Sequence, residues 1–483
     1  MPAADLQTLV QECEQRGWLH RIRVPVDPAL EITEIADRTT KAGGPALLFE
    51  NVKGSSIPLL INTFGTRERM CLALGCSDFA QIADRVRDII RPQIPATFIQ
   101  KIRKLPELAQ LGSLPPKTVR RGVCQEVVHT DDADLFTLPA LHCWPDDGGR
   151  YITFGAIFSK DPETGERNVG MYRVQLFEPQ LAAMHWHVHH DGARHFRKYK
   201  RLGQRMPLAI ALGGPAVLPY AATCPLPPGI DECLFAGFLQ QGPLELVRCV
   251  SQPDIEAPAS AEIVIEGYID PAEDLILEGP FGDHTGFYSL ADDYPRFRVT
   301  AITHRSNPIF PATIVGKPPQ EDYWLGKATE RIFLPLLQML IPDLIDYDLP
   351  MFGCFHNCAF VKIRKEYPFH ARKVMHAVWG AGQMALTKII VVVDEHVDVH
   401  NQDEVLFQLC SNVDPRRDIV TADGPLDILD HAAPVCGAGS KLGIDATKKI
   451  PGEGQVRAWP DELEMPAEIR ELVTRRWADY GLP

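Results

Sequence analysis

Between about residues 117 and 315 the chain is cut into short runs of alternating apolar residues, at 151–158, 169–177, 208–212, Ala261–Ile269 and 296–303, parted by clusters of Gly, Pro and Asp. Runs of that length and punctuation predict an antiparallel sheet or barrel. One clear helix interrupts them, Glu232–Gln240, with Asp231 as its N-cap. The pattern differs on both sides. Upstream, Leu6–Gln15 has helical spacing and ends near Gly17. Ala46–Phe49 reads as a strand after Gly43-Gly44-Pro45, and 78–90 as an amphipathic helix. Downstream, 330–340, 370–381 and 404–409 read as helices and 359–363 and 387–393 as strands. The last is nearly continuous in β-branched residues, as a buried parallel strand would be. The tail from about 450 reads as irregular. The fold class expected is α+β: an N-terminal α/β region over 1–115, a β domain over 116–315 and a C-terminal α/β domain over 316–483. The first boundary falls in the Pro- and Lys-containing stretch 101–116.

A length of 483 residues suits two to four domains. With 45% apolar and 23% charged residues the chain is ordinary for a globular protein, and a net charge of −14 argues against nucleic acid as a partner. The basic run 194–205 is the exception. It reads as a solvated helix face or as a local attraction for phosphate or carboxylate. No apolar run reaches about 18 residues, because 332–345 is broken by Pro335 and Pro342, so no spanning helix is expected. Residues 1–20 lack an apolar core, so no signal peptide is expected and the predicted location is cytoplasmic. Twelve scattered cysteines fit a reducing compartment. Cys354 and Cys358 flank His356, a weak zinc pattern among apolar neighbours. The segment 437–443 superficially resembles a phosphate loop but lacks its spacing and reads as a loop. Cys233 reads as a core thiol or, less readily, a nucleophile.

Three segments carry more chemistry. The first is Asn168-Val-Gly-Met-Tyr-Arg173 with His185-Trp-His-Val-His-His190 close behind. The second is Asp231-Glu232. The third is Glu278-Gly-Pro-Phe-Gly-Asp-His-Thr-Gly286. Asn168, His190 and Glu232 would offer an amide oxygen, an imidazole and a carboxylate to a hard divalent ion such as Mn²⁺ or Mg²⁺. The plainer reading is polar lining of a cleft, which suits His187 and His189. In a strand His185, His187 and His189 would share one face and His190 the other. Glu278 and Asp283 lie in a turn-rich loop. Like charges brought close cannot both ionise, so one would stay protonated and act as an acid. Arg173 would fix the other or hold a substrate carboxylate. The alternative is that both acids cap turns and pair with surface lysines.

These segments resemble the active-site signature of the UbiD family of prenylated-FMN-dependent decarboxylases. The likeness continues in order along the chain. It includes Pro45-Ala-Leu-Leu-Phe-Glu-Asn-Val-Lys-Gly54, Asp132-Ala-Asp-Leu135, Cys143-Trp-Pro-Asp-Asp147, Glu266-Gly-Tyr-Ile-Asp270, Gly316-Lys-Pro-Pro319, Asp414-Pro-Arg-Arg-Asp418 and Gly439-Ser-Lys-Leu-Gly-Ile-Asp-Ala-Thr447. The resemblance implies a central split β-barrel that binds prenylated FMN, and a C-terminal domain that closes over the site and mediates a homodimer or higher homo-oligomer. It implies that Asn168, His190 and Glu232 bind Mn²⁺ (or Mg²⁺) at the flavin phosphate. Met171, Tyr172, Arg173, His189 and Lys388 would complete the cofactor surface. A K⁺ ion near the phosphate is a further expectation, whose ligands the sequence does not place. Arg173, Glu278 and Asp283 would be catalytic, in reversible non-oxidative decarboxylation of an aromatic or α,β-unsaturated acid.

His376-Ala-Val-Trp-Gly-Ala-Gly-Gln-Met384 is similar to quinone-biosynthesis members, which suggests a polyprenyl-4-hydroxybenzoate or a dihydroxynaphthoate as substrate. Phenolic-acid catabolism is the alternative. A flavin prenyltransferase would supply the cofactor, and a prenylated substrate would bring at most peripheral membrane contact. Two other classes stay open: a flavin-binding assembly protein without turnover, and a metal-dependent hydrolase acting without flavin.

Overall fold

The computed structural model describes residues 1–90, 112, 114–187, 190–227 and 229–482. Most of the expected boundary stretch 101–116 lies outside them. The class is α+β. At its centre is a nine-stranded sheet whose neighbouring strands all pair antiparallel. Two of the expected runs are each two strands: 151–158 divides into Arg150–Ile152 and Ala156–Lys160, and 169–177 into Arg167–Met171 and Val174–Glu178.

The order of this sheet decides where a site can form. Arg167–Met171 lies at one end of the path, paired only with Ala156–Lys160. Val174–Glu178 lies next to the other end, between Arg150–Ile152 and Leu181–Met184. Only Tyr172 and Arg173 separate these strands in sequence. Three peptide steps span at most roughly 11 Å. The sheet must therefore curl until its ends nearly meet, giving a half-barrel with Tyr172 and Arg173 across the seam.

Both faces of the curled sheet are covered. Along Met206–Gly213 the residues Leu208, Ile210 and Leu212 enter one core, and Ala209 and Ala211 another. The first core also holds Leu47, Phe49, Leu59 and Ile61 of the N-terminal sheet. That sheet runs Leu19–Ile22, Ala46–Phe49, Leu59–Ile61 and then Phe310–Pro311, a strand donated by the far end of the central region. The C-terminal sheet has five strands, in the order Leu344–Asp348, Cys358–Ile363, Ile389–Asp394, Ala438–Asp445, Ile419–Pro425. Ile389–Asp394 is parallel to both neighbours and buried on both faces, as its β-branched run predicts.

Several expectations need correction. A second long helix, Asp191–Leu202, lies inside the β region and carries the basic run. Lys198 pairs with Asp161 at 2.5 Å, Arg201 with Glu163 and Arg194 with Asp191, so part of that run is engaged in internal ion pairs. The C-terminal helix begins at Asp322, two turns before 330, and runs to Leu340 with Pro335 inside. Gly326 lowers local propensity there, but a Cβ at that position would meet the Phe355 ring at 2.3 Å. Of the segment 437–443, all but Gly437 belongs to the strand Ala438–Asp445. The tail contains a helix, Ala467–Arg475. Among the described residues, no helix is long and apolar enough to cross a membrane.

Candidate active site

The seam of the half-barrel brings two of the three chemistry-bearing segments together directly. The hairpin of Val174–Glu178 and Leu181–Met184 sets Met184 opposite Val174, so the residues just beyond, His185 and Arg173, also face one another, with the His185 N–H reaching the Arg173 carbonyl at 3.4 Å. The strand Ile276–Glu278 delivers Glu278 to the same place. Arg173 donates from Nε to Glu278 Oε1 at 2.8 Å, from Nη2 to Oε2 at 3.0 Å and to Ser289 Oγ at 3.0 Å, and from Nη1 to Asp283 Oδ2 at 2.7 Å. Its plane lies over the Phe281 ring at 4.7 Å. Glu278 is 0% exposed.

The loop is shaped for this contact. Gly279 adopts φ +92, open to glycine at little cost. At Gly282 a Cβ would meet Trp144 at 2.2 Å. The Gly279 N–H is held by Gln175 Oε1 at 2.8 Å and the Gly282 N–H by Asp147 Oδ1 at 2.7 Å. Asp147 also accepts from the Trp144 N–H at 2.9 Å. The Cys143–Asp147 stretch thus clamps the loop that carries both acids.

The Arg173 guanidinium bridges the two acids and is the partner that fixes Glu278 as a carboxylate. Burial pushes the Glu278 carboxyl up, but hydrogen bonds from His185 and Arg173 and the charge of Arg173 outweigh it and bring it down to about 2. Burial, with nearby Arg173, pushes the His185 imidazole down against the pull of Glu278. The ring donates Nδ1–H to Glu278 Oε2 at 2.8 Å. The expectation that His185 and His187 share a strand face fails. The strand ends at Met184, and the two rings meet Nε2 to Nε2 at 2.8 Å.

The second cluster lies on the other lip of the seam. Asn168, in Arg167–Met171, is buried, and its Nδ2 has no hydrogen-bond partner. Glu232 opens its helix beside it and accepts the Val169 N–H at 2.9 Å. Burial raises the Glu232 carboxyl to about 7, with Asp231 and Asp191 adding to the rise. No Lys or Arg among the described residues is paired with it. His190 is the N-cap residue of Asp191–Leu202, with its ring 4.9 Å from the Tyr172 ring, and Tyr172 lies beside Asn168. The uncompensated Glu232 carboxylate fits a hard divalent cation, to which the Asn168 amide would offer its oxygen. The imidazole is less prepared. His190 Nδ1 accepts the His187 N–H at 3.1 Å, so in the neutral ring the proton sits on Nε2.

Met171 is partly buried on the same strand. His189 lies outside the described residues. Lys388 sits at the start of the strand Ile389–Asp394, and its Nζ pairs with Asp430 at 2.8 Å. The neighbouring His431 ring packs 3.9 Å from Phe287 of the acid-bearing loop. Cys233 is a fully buried thiol, driven well up by burial. Cys358 is buried in its strand, and His356 faces Asp427 at 3.6 Å. Glu330, Asp348 and His400 also bring possible ligand atoms together. Lys327 already pairs with Glu330 and Asp348, and Arg331 with Glu330 and Asp346, so protein cations fill that cluster.

The residues missed by sequence reasoning are His185, Gln175, Asp147, Ser289 and His284. For His185 a signal existed: two short runs joined by Pro179-Gln180 form a hairpin, whose register sets 185 opposite 173.

Family models described as 3-octaprenyl-4-hydroxybenzoate carboxy-lyase match in three successive parts: the N-terminal domain over residues 10–87, the Rift-related domain over 117–318 and the C-terminal domain over 323–446. An uncharacterized protein of Aquifex aeolicus (strain VF5) is 51% identical over 480 residues, 99% of each chain. The vanillic acid decarboxylase of Sedimentibacter hydroxybenzoicus, in closed form, superposes with a TM-score of 0.84 at 27% identity, covering 98% of this chain and 99% of that one. The UbiD-class enzyme HmfF from Pelotomaculum thermopropionicum, in complex with FMN, gives 0.81 at 27% identity over 99% and 100%. An evolved dimeric form of HmfF in complex with prFMN gives 0.78 at 26% over 97% and 98%. With all three domain models matched in order around this seam, the chain belongs to the UbiD family, the prenylated-FMN-dependent carboxy-lyases.

Proposed function

We propose that this protein is a reversible, non-oxidative decarboxylase of an aromatic acid, with Arg173, Glu278 and Asp283 as its catalytic residues. One observation carries the reading: a single buried guanidinium holds both acids at a seam whose other lip carries the uncompensated Glu232 carboxylate beside Asn168. An assembly protein has no use for the first cluster, and a hydrolase working through a metal alone has no use for it either.

Asn168, Glu232 and His190 would hold Mn²⁺ or Mg²⁺ at the flavin phosphate, with Met171, Tyr172, Arg173, His189 and Lys388 around the ring system. The prenylated flavin, when bound, supplies the electron sink for the carbanion left as CO2 departs. The protein's own residues do the rest. Glu278 stays ionised and locks the Arg173 fork, with His185 fixing its other oxygen. Arg173 then sets the position of Asp283. Asp283 has one arginine contact where Glu278 has two and a histidine besides, so Asp283 is the acid free to give a proton to the vacated carbon.

Within this reading the substrate is an aromatic acid with a ring hydroxyl. The family description favours a prenylated 4-hydroxybenzoate or a dihydroxynaphthoate of quinone biosynthesis. The likeness to a vanillic acid decarboxylase favours phenolic-acid catabolism. Three units at 1–115, 116–315 and 316–483, a homodimer or larger homo-oligomer, a cytoplasmic location, a K⁺ near the phosphate and a flavin prenyltransferase as supplier belong to the same proposal. The test is co-expression with a flavin prenyltransferase, then a native mass, a spectrum and CO2 release from a panel of aromatic acids. A bound mass of prenylated flavin plus one Mn²⁺, with CO2 released, is expected. A colourless, fully active protein would favour the hydrolase.

A further inference from the structure

An acid that gives up its proton in each turnover must regain it, and Asp283 is poorly placed to do so alone. Its side chain is 8% exposed. Its Oδ2 is taken by Arg173, which does not part with a proton. Its Oδ1 faces the next residue, accepting the His284 N–H at 2.9 Å with the His284 Nε2 at 3.6 Å. His284 is the wetter of the two, with its side chain 36% exposed. Its other nitrogen, Nδ1, is hydrogen-bonded to Asp322, the first residue of the helix Asp322–Leu340. His284 and Asp322 also line a small cavity with Pro318, Tyr323, Lys327 and Phe355, of about 10 Å³, room for roughly one water. The Phe355 ring stands edge-on to the imidazole at 5.8 Å.

We infer that His284, held between Asp283 and Asp322, is a positioning and proton-resupply residue for Asp283. This rests on Asp283 being the acid of the proposed decarboxylation. One proton leaves Nε2 and joins the Asp283 carboxylate. The neutral ring keeps its Nδ1–H on Asp322 and takes one proton back from water. The charges that face the ring are Asp283 from its own loop, Asp322 and Lys327 from the helix, and Asp427 from the C-terminal region. Desolvation pushes the imidazole down, but the bond to Asp322 and the three carboxylates outweigh it and raise it to about 9. The ring is therefore an imidazolium at neutral pH, with a proton ready at each end.

The experiment uses cofactor-loaded enzyme and an aromatic acid that the wild type decarboxylates. In His284→Gln the first-turnover release of CO2 should match the wild type. The steady-state rate should fall about 100-fold and recover with added imidazole. In Asp322→Asn the ring keeps its place but loses its anchor, so the alkaline limb of the kcat profile should move from about 9 toward 6.5. His284→Gln at the full steady-state rate, or an unmoved limb in Asp322→Asn, would overturn the inference. A first turnover lost as completely as the steady state, with no rescue by imidazole, would also overturn it. Should the loaded wild type release no CO2, the decarboxylase reading falls first and takes the relay with it.

Discussion

Two glutamates set into the same seam are driven in opposite directions. Glu278, fully buried, is held at about 2, whereas Glu232 is pushed up to about 7. For both, burial is the largest single influence and pushes the carboxyl up. The difference is what the chain puts beside them: an arginine fork and a histidine for Glu278, one backbone N–H and two more acids for Glu232. Where the protein supplies the counter-charge it has built a permanent ion. Where it withholds one, the carboxylate would need a cation from outside, as the proposed metal site supplies. The Glu330–Asp348–His400 cluster shows the contrast from a third side. It has the residue types of a metal site, but Lys327 and Arg331 occupy it.

The comparison can be broken most forcefully at Glu278. Glu278→Gln should cut CO2 release by about 10³-fold while flavin occupancy, read from the spectrum, stays at the wild-type level. Next is Arg173→Lys, which keeps the charge but cannot fork between two acids. We expect about 10²-fold lower activity, with a lowered Tm because Glu278 loses a bidentate partner. Stability should also follow the Glu278 shift. Its pKa is depressed in the fold from the ordinary 4.5 to about 2. It therefore contributes stability above pH 4.5 that is lost as pH falls toward 2, on the order of 3 kcal/mol. Urea unfolding at stepped pH should show this loss in the wild type and a flatter curve in Glu278→Gln. At the other lip, Mn²⁺ should raise the Tm of the wild type by a few degrees, and Glu232→Gln should abolish that response. The smallest effect is expected at the filled cluster, where His400→Gln should leave the Mn²⁺ stoichiometry at one per chain, measured by metal analysis.

Much of this was legible in the sequence because it is local. The alternating runs, the Asp231 cap and the β-branched strand at 389–394 follow from short-range periodicity. The acid loop announced itself through Gly279, Pro280 and Gly282. Pairing was harder to see, because it depends on which strands become neighbours. Nothing in the composition of 167–178 says that its first strand stands at one end of the sheet and its second next to the other, and that topology makes the seam. That one guanidinium, Arg173 about a hundred positions earlier, reaches both Glu278 and Asp283 is hidden for the same reason. The helix at 322–329 stayed hidden because Gly326 weakens its propensity, and the packing of Phe355 that selects it is long-range.

The most direct test compares CO2 release by wild type and Glu278→Gln at equal occupancy of prenylated flavin and Mn²⁺, on one aromatic acid that the wild type consumes. The account predicts release by the wild type and almost none by the variant, with unchanged cofactor mass. Equal rates from both proteins would contradict it, because the buried Arg173–Glu278–Asp283 network would then have no part in the chemistry.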